Sequence, residues 1–420
     1  MKRIFISLFF FAFMWTAAGA DASPELLFVR WPANPDAVWY SFRIVPVTQH
    51  FGRKEMRPPI YEDGHVFRDS VMIEKEITDS YDGPGILCCQ VKAIGLDGQS
   101  ISAYSAPVPM EKAAQEMERY APKIRVKYHE QNGTVLLYPA YSFVKIPHAV
   151  SYEVEITDEE PENPDGCEPS VHRISQGIVT IPELFDELPR QGTVWWRVRG
   201  LDENGGPVGV WSEAEKIVND PAENWETGIL GDSISHGGGR MSYSPADWPY
   251  NYAYYLDFPT INMSRSGDKT DDLLRRFDAD VLPFHVRYLL IMGGTNNLRC
   301  GGTAEKVISD LEALQEKCRA NDIKPVLLTI PPIAPERILK YYHQPTAENW
   351  KAEFDKVNGW IRTQTHIDTA APFAMYEDMP ENFAADGLHP DKEAKEKMGK
   401  IINEKFPEIR KKISETKIQK

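Results

Sequence analysis

Two kinds of hydrophobic spacing divide this chain. From residue 23 to about 221 apolar and polar positions alternate, as in Trp39-Tyr40-Ser41-Phe42-Arg43-Ile44 and Tyr152-Glu153-Val154-Glu155-Ile156. A period of two sends successive side chains to opposite faces, so this half predicts half-buried β-strands. One short helical stretch, near Lys112 to Tyr120, interrupts them. From about residue 222 the pattern changes. Apolar runs at 228–230, 260–263, 288–292, 326–330 and, more weakly, 366–370 predict five strands. Three of these are near-continuous in apolar residues, as parallel strands covered on both faces should be. Helical stripes fall between and after them: Leu273, Leu274 and Phe277; Val307, Ile308, Leu311, Leu314 and Cys318 behind a candidate N-cap, Thr303; Trp350, Phe354, Val357 and Ile361; Ala394, Met398, Ile401, Ile402 and Phe406 behind Asp391. Strand alternating with helix predicts a parallel sheet between two helical layers. The expected fold is therefore all-β in the first half and α/β in the second.

The β half repeats. Pro35, Ala37, Val38, Tyr40, Phe42 and Ile44 stand 112 positions before Pro147, Ala149, Val150, Tyr152, Val154 and Ile156. Val91, Lys92, Gly98, Tyr104 and Ser105 stand 107 positions before Val198, Arg199, Gly205, Trp211 and Ser212. The small difference in offset falls between the two blocks, where loops vary. Two copies of one β-domain are expected, at 23–112 and 113–221, followed by an α/β domain at 222–420. An early aromatic strand, a late strand with a basic pair, a glycine turn and a closing Tyr-Ser or Trp-Ser make each copy resemble a fibronectin type III-like sandwich. That resemblance implies a fold and no function. Trp195, Trp196 and Trp211, as strand aromatics, are expected in cores or interfaces rather than on a sugar-binding face. The acidic stretch 158–166 has prolines and no ordered ligand spacing, so it reads as a solvated loop and not a calcium site.

Composition changes the picture in three places. Residues 1–22 combine Lys2 and Arg3, an apolar run from Ile4 to Trp15, and Ala18-Gly19-Ala20. This is the pattern of a cleavable signal peptide, too short for a transmembrane span, and no cysteine follows to accept a lipid. Release into a periplasm or the medium is expected. The chain as a whole, at 42% hydrophobic and 26% charged, has a soluble globular composition, and no other apolar stretch approaches the length of a membrane span. A net charge of −15 argues against nucleic acid or anionic membrane as partner and suits a neutral or acetylated substrate. The five cysteines show no metal-ligand spacing and read as small buried hydrophobes. Nothing calls for a metal or a cofactor.

The candidate chemistry lies at strand ends. Thr227-Gly228-Ile229-Leu230 runs into Gly231-Asp232-Ser233-Ile234-Ser235, which leaves Ser233 at the carboxyl end of the first α/β strand. Open α/β sheets keep their ligands there. A serine hydroxyl needs a base to take its proton and donors to hold the oxyanion that forms. Asp386-Gly387-Leu388-His389-Pro390, before the last helix, supplies a histidine and a carboxylate that can orient it. Ser264-Arg265-Ser266-Gly267-Asp268 follows the second strand, where a glycine leaves its backbone N–H unobstructed. Gly293-Gly294-Thr295-Asn296-Asn297 follows the third and offers a carboxamide. His236 is too close to Ser233 in sequence to be its base and reads better as a substrate contact. Gly237-Gly238-Gly239 lacks the Lys-Ser or Lys-Thr of a phosphate loop. The loop from His236 to Pro259 should overhang the site, with Arg240, Trp248 and Tyr250 joining His236 as candidate substrate contacts.

Residues 226 to about 406 resemble the SGNH (GDSL-type) hydrolase family, whose four marks appear here as Ser233, Gly267, Asn296 and His389. The resemblance implies a flavodoxin-like three-layer fold with a five-stranded parallel sheet. It implies Ser233 as nucleophile, His389 as general base and acid, and Asp386 as its orienting carboxylate. It also implies an oxyanion hole made by the backbone N–H groups of Ser233 and Gly267 and the Asn296 amide. Asn297 stands where family members often have aspartate, which puts the local hydrogen bonding in question. The function expected is a secreted serine esterase acting on short acyl esters, first among them O-acetyl groups on a carbohydrate. Lipid or aryl esters are the second reading, and a noncatalytic glycan-binding or adhesion protein is the third. Oligomeric state is not legible in the chain.

Overall fold

The computed structural model describes residues 25–418 apart from 35, 52, 126–134, 224 and 240–243. The expected signal peptide lies outside the described residues. At the centre of the C-terminal region is a six-stranded parallel sheet. Its strands are β1 (Val135–Leu136), β2 (Thr227–Gly231), β3 (Ile261–Asn262), β4 (Tyr288–Met292), β5 (Lys324–Leu328) and β6 (His366–Ile367). Their spatial order is β1-β3-β2-β4-β5-β6. Ile229 stands beside Asn262 on one side and Leu290 on the other, and Leu290 beside Val326.

The sheet parts its side chains cleanly. Leu230, Leu289, Ile291 and Leu327 enter one buried cluster, while Ile229, Leu290, Met292, Val326 and Leu328 enter another. Alternate residues of each strand therefore serve opposite faces, which is why these strands read as unbroken apolar runs. The helices are α1 (Ser233–His236), α2 (Thr270–Asp280), α3 (Thr295–Arg299), α4 (Ala304–Ala320), α5 (Pro335–Tyr342), α6 (Trp350–Ile361) and α7 (Lys392–Ile418). Apolar stripes of α2, α4 and α6 fill the first cluster, and Ala394, Met398, Ile402 and Phe406 of α7 fill the second. Thr303 caps α4, its side chain accepting from the Lys306 N–H at 3.3 Å. No helix among the described residues is long and apolar enough to cross a membrane.

The sheet has one strand more than the five expected. Strand β1 comes from inside the stretch assigned to the second β-domain, and Leu136 aligns with Asn262. Val135, Leu136 and Leu137 are wholly buried. A run this short shows no period, and its partner lies more than a hundred residues away, so local pattern does not disclose the pairing. β3 would otherwise be a bare edge.

The N-terminal half is β-rich. In its first unit the sheet of Leu26–Arg30, Ser70–Glu74 and Ala114–Met117 shares one buried cluster with the sheet built on Trp39–His50 and Ile86–Ile94. In the second, Ser151–Thr157 lies between Arg173–Val179 and Gly192–Leu201, and a separate pairing joins Ala140–Val144 to Glu183–Phe185 and Lys123–Ile124. Phe42 stands opposite Val91 in the first unit and Val154 opposite Val198 in the second, the register that the two sequence offsets require. Two expectations change. The helical stretch is only Met110–Ala113, and Ala114–Met117 is a strand paired with Leu26–Val29. The first unit therefore runs past residue 112, because its edge strand lies beyond the point where the repeat seemed to restart. Trp196 and Trp211 are fully buried, the second beneath the Arg197 guanidinium at 4.6 Å. All five cysteines are unpaired.

A buried charge cluster joins the three parts. Arg68 of the first unit donates to Glu183 of the second at 2.9 Å and pairs with Asp247 of the α/β domain. Ser244 donates to the same Glu183 oxygen at 2.5 Å. Arg125 reaches Asp69 at 3.3 Å. Little of these side chains meets solvent, so removing one partner would leave the others buried and uncompensated.

Candidate active site

β2 delivers its last residue, Gly231, into a space where any side chain would collide with the Met292 carbonyl and Ser235. The chain then turns into α1, whose first residue is Ser233. Asp232 caps this turn, accepting from the Ile234 N–H at 3.0 Å. The backbone N–H at the start of a helix has no partner within that helix. Beneath the turn, Lys395 of α7 is fully buried and donates to the Ile234 carbonyl. Burial lowers its ammonium to about 7 against the pull of Asp232, Asp391 and Asp386, and burial raises Asp232 to about 6.

The loop before α7 brings His389 to this serine. His389 Nε2 lies 3.1 Å from Ser233 Oγ, and its Nδ1 lies 2.8 Å from Asp386 Oδ2. The second Asp386 oxygen accepts the backbone N–H groups of Leu388 and His389, each at 2.8 Å. Tyr342, at the end of α5, donates to Asp386 Oδ2 at 2.8 Å. Burial works to raise Asp386, but the neighbouring His389 and these hydrogen bonds outweigh it and hold the carboxyl below its usual range. An ionised carboxylate at Nδ1 keeps that proton in place and leaves Nε2 to accept from the serine hydroxyl.

The two other strand-end turns converge here. Gly267 adopts φ +89°, a conformation that favours glycine, with open space where a side chain would be. Asn296 Nδ2 donates one hydrogen to the Asp268 carbonyl at 3.0 Å, which accounts for one of its two N–H groups. Its Oδ1 accepts from Arg299 Nε at 3.2 Å, so the amide orientation is determined from both ends. Asn297 Oδ1 accepts the Thr270 N–H at 3.0 Å, so a carboxamide oxygen serves at this position.

His236 is placed otherwise than expected. It is buried, with both ring nitrogens engaged: Nδ1 accepts the Ser266 N–H at 3.2 Å and meets Ser266 Oγ at 2.9 Å, while Nε2 donates to the Tyr138 carbonyl at 2.7 Å. It clamps the Gly267 turn to the second β-unit and is not among the residues that line the cleft. Burial lowers its pKa to about 4. The folded state thus excludes a proton that the unfolded chain, titrating near 6.5, accepts. The resulting stability is present above pH 6.5 and lost as pH falls towards 4. We expect denaturant titrations to show the gap between wild type and His236→Asn shrinking by about 3 kcal/mol over that range. Asp232 acts with opposite sign across part of it but is common to both proteins. A constant gap would contradict the clamp.

Trp248 and Tyr250 are also buried, and neither lines the cleft. Trp248 joins the core of the second β-unit, and the Tyr250 ring fills the space beside Gly239. A loop that spans two domains spends its aromatics on anchorage. Arg240 lies outside the described residues.

The cleft over Ser233 has a volume of about 370 Å³. Gly237, Gly238, Gly239, Pro245, Ser266, Gly267, Asn296 and His389 line it, with four residues that sequence reasoning passed over: Phe185, Arg299, Tyr342 and Gln344. Tyr342 had a signal, since Pro335 opens α5 at a position where proline starts helices. Arg299 lies one helical turn after Asn296 on α3. Phe185 had none, because it arrives from another unit.

Residues 229–397 match the model of the GDSL-like Lipase/Acylhydrolase family. Over 171 residues, 40% of this chain and 76% of the relative, the sequence is 29% identical to Thioesterase 1/protease 1/lysophospholipase L1 of Escherichia coli (strain K12). Among solved structures, a GDSL-like lipase from Bacteroides thetaiotaomicron VPI-5482 is 18% identical, covers 44% of this chain and 87% of its own, and has a TM-score of 0.36. The lipase/acylhydrolase from Enterococcus faecalis is 25% identical, covers 43% and 94%, and has a TM-score of 0.35.

Proposed function

We propose that this chain, whose C-terminal region is a GDSL-type acylhydrolase domain, is a secreted serine esterase that removes O-acetyl groups from a carbohydrate. Ser233 Oγ attacks the ester carbonyl while His389 Nε2 takes its proton, and Asp386 steadies the imidazolium. The carbonyl oxygen, now negative, is held by the N–H groups of Ser233 and Gly267 and by the free N–H of Asn296. When the tetrahedral centre collapses, the C–O bond to the alcohol breaks and His389 returns the proton to the leaving oxygen. Water then repeats the sequence on the acyl-serine with His389 again as base, releasing acetate and the free serine.

The observation that carries this reading is the lining of the cleft. Around Ser233 the described residues give it three glycines and Gly267, the hydrogen-bonding side chains of Asn296, Arg299, Tyr342 and Gln344, and apolar surface only from Phe185, Pro245 and Leu388, with no long aliphatic channel among them. Such a wall suits a small acyl group and a hydroxylated alcohol better than a long acyl chain. Secretion rests on the signal-peptide pattern of residues 1–22. The fibronectin type III-like sandwich reading of the two β-units rests on their repeated register. The test compares acetate release from methyl tri-O-acetylxyloside with hydrolysis of ethyl octanoate. Higher kcat/KM on the acetylated sugar is expected, and preference for the octanoate would replace this reading with a lipid esterase.

A further inference from the structure

Phe185 does not belong to the hydrolase domain, yet it stands in the cleft with Ser233. It is 43% exposed, while its neighbour Leu184 packs on the core of the second β-unit. Alternation along a strand explains the split: Leu184 faces inward, and Glu183 and Phe185 face out towards the α/β domain. The strand is held on both sides of the ring. Ala140 aligns with Phe185, the Asp186 N–H donates to the Pro139 carbonyl at 2.9 Å, and the Phe143 N–H donates to the Pro182 carbonyl at 3.1 Å. Two residues back, Glu183 accepts from Arg68 of the first unit and from Ser244 of the loop that follows α1. Ser244 adjoins Pro245, which lines the same cleft. An exposed aromatic ring on a strand tied this firmly is presented at low entropic cost.

We infer that Phe185, carried by the second β-unit and positioned through the Glu183 junction, forms the apolar wall against which the leaving alcohol of the ester packs, and that this alcohol is a sugar ring. The inference rests on the esterase reading above. An acetyl group is too small to need such a wall, so the wall serves the other half of the ester. A pyranose offers an apolar C–H face to an aromatic ring and hydroxyls at its edge. The same cleft carries Arg299 and Gln344, which can meet those hydroxyls, whereas an acyl chain would gain nothing from them.

The full-length protein tests this with three esters followed by acid release: ethyl acetate, ethyl octanoate and methyl tri-O-acetylxyloside. For Phe185→Ala we expect kcat/KM on the triacetylxyloside to fall about tenfold, mainly through KM, and several times further than kcat/KM on ethyl acetate. Phe185→Tyr, which keeps the ring, should retain both activities. An equal fall on all three esters would make Phe185 a purely structural residue and overturn the inference, as would no change on any. A fall confined to ethyl octanoate would assign the wall to the acyl chain instead. Failure of the underlying reading is separate: a wild-type protein that hydrolyses ethyl octanoate and leaves the acetylated sugar intact refutes the carbohydrate assignment whatever Phe185→Ala does.

Discussion

Ser233→Ala and His389→Ala should each lower turnover on ethyl acetate by about 10⁴-fold or more, with unchanged melting temperatures. That factor corresponds to roughly 5 kcal/mol of barrier. The expectation follows from the chain of contacts rather than from any single group. The hydroxyl lies 3.1 Å from Nε2, and Nδ1 is tied at 2.8 Å to a wholly buried carboxylate that two backbone N–H groups also hold. Without the hydroxyl no acyl-serine forms. Without the imidazole the hydroxyl keeps its proton. Because the two act as one unit, the double variant should be little worse than either single one. Both side chains border the open cleft, so neither truncation leaves a cavity in a core. Burst kinetics would register the acyl-serine in the wild type alone. A Ser233→Ala protein as active as wild type would sink the assignment.

The second large effect concerns the β-units. A chain beginning at residue 222 should lose activity on ethyl acetate as completely as on acetylated polysaccharide, falling at least a hundredfold. A detachable targeting module would spare the small ester. Here the second β-unit supplies strand β1, so its loss bares the edge of β3 and takes Val135 and Leu137 out of the cluster that holds α2 and α4. It also supplies the Tyr138 carbonyl that holds His236, and the Tyr138 hydroxyl that donates to Asp280 at 2.7 Å. Asp280 pairs with Arg276, which in turn pairs with Asp268 beside Gly267. Removing the unit therefore releases the Gly267 turn from two directions. Soluble yield, thermal melting and turnover of the truncated chain decide the matter. A stable fragment with full activity on ethyl acetate would show that this packing is dispensable.

Both effects bear on what could be read from the chain. The apolar runs at 228–230 and 288–292 announced buried parallel strands because every residue there meets one helical layer or the other. Helices α2, α4, α6 and α7 were legible for a similar reason, since each buries one stripe. Ser233, Gly267, Asn296, Asp386 and His389 could be named because chemistry at a parallel sheet gathers where strands end, and each of these residues follows a strand or precedes a helix. The convergence of these residues needed only the order of the elements.

His236, Trp248 and Tyr250 were misplaced for one reason. A polar or aromatic residue near a nucleophile looks the same in sequence whether it meets substrate or anchors a loop, and burial decides which. Phe185, β1 and the Arg68–Glu183–Asp247 cluster were hidden for another. Each is a contact between segments far apart in the chain, and no local periodicity encodes which exposed face of a β-unit will lie against which loop. The sequence by itself determined the elements and the residues of the candidate site, because local burial and strand-end chemistry leave short-range patterns. Only the tertiary structure decided the walls of the cleft, because those walls are interfaces, and an interface is a property of two surfaces at once.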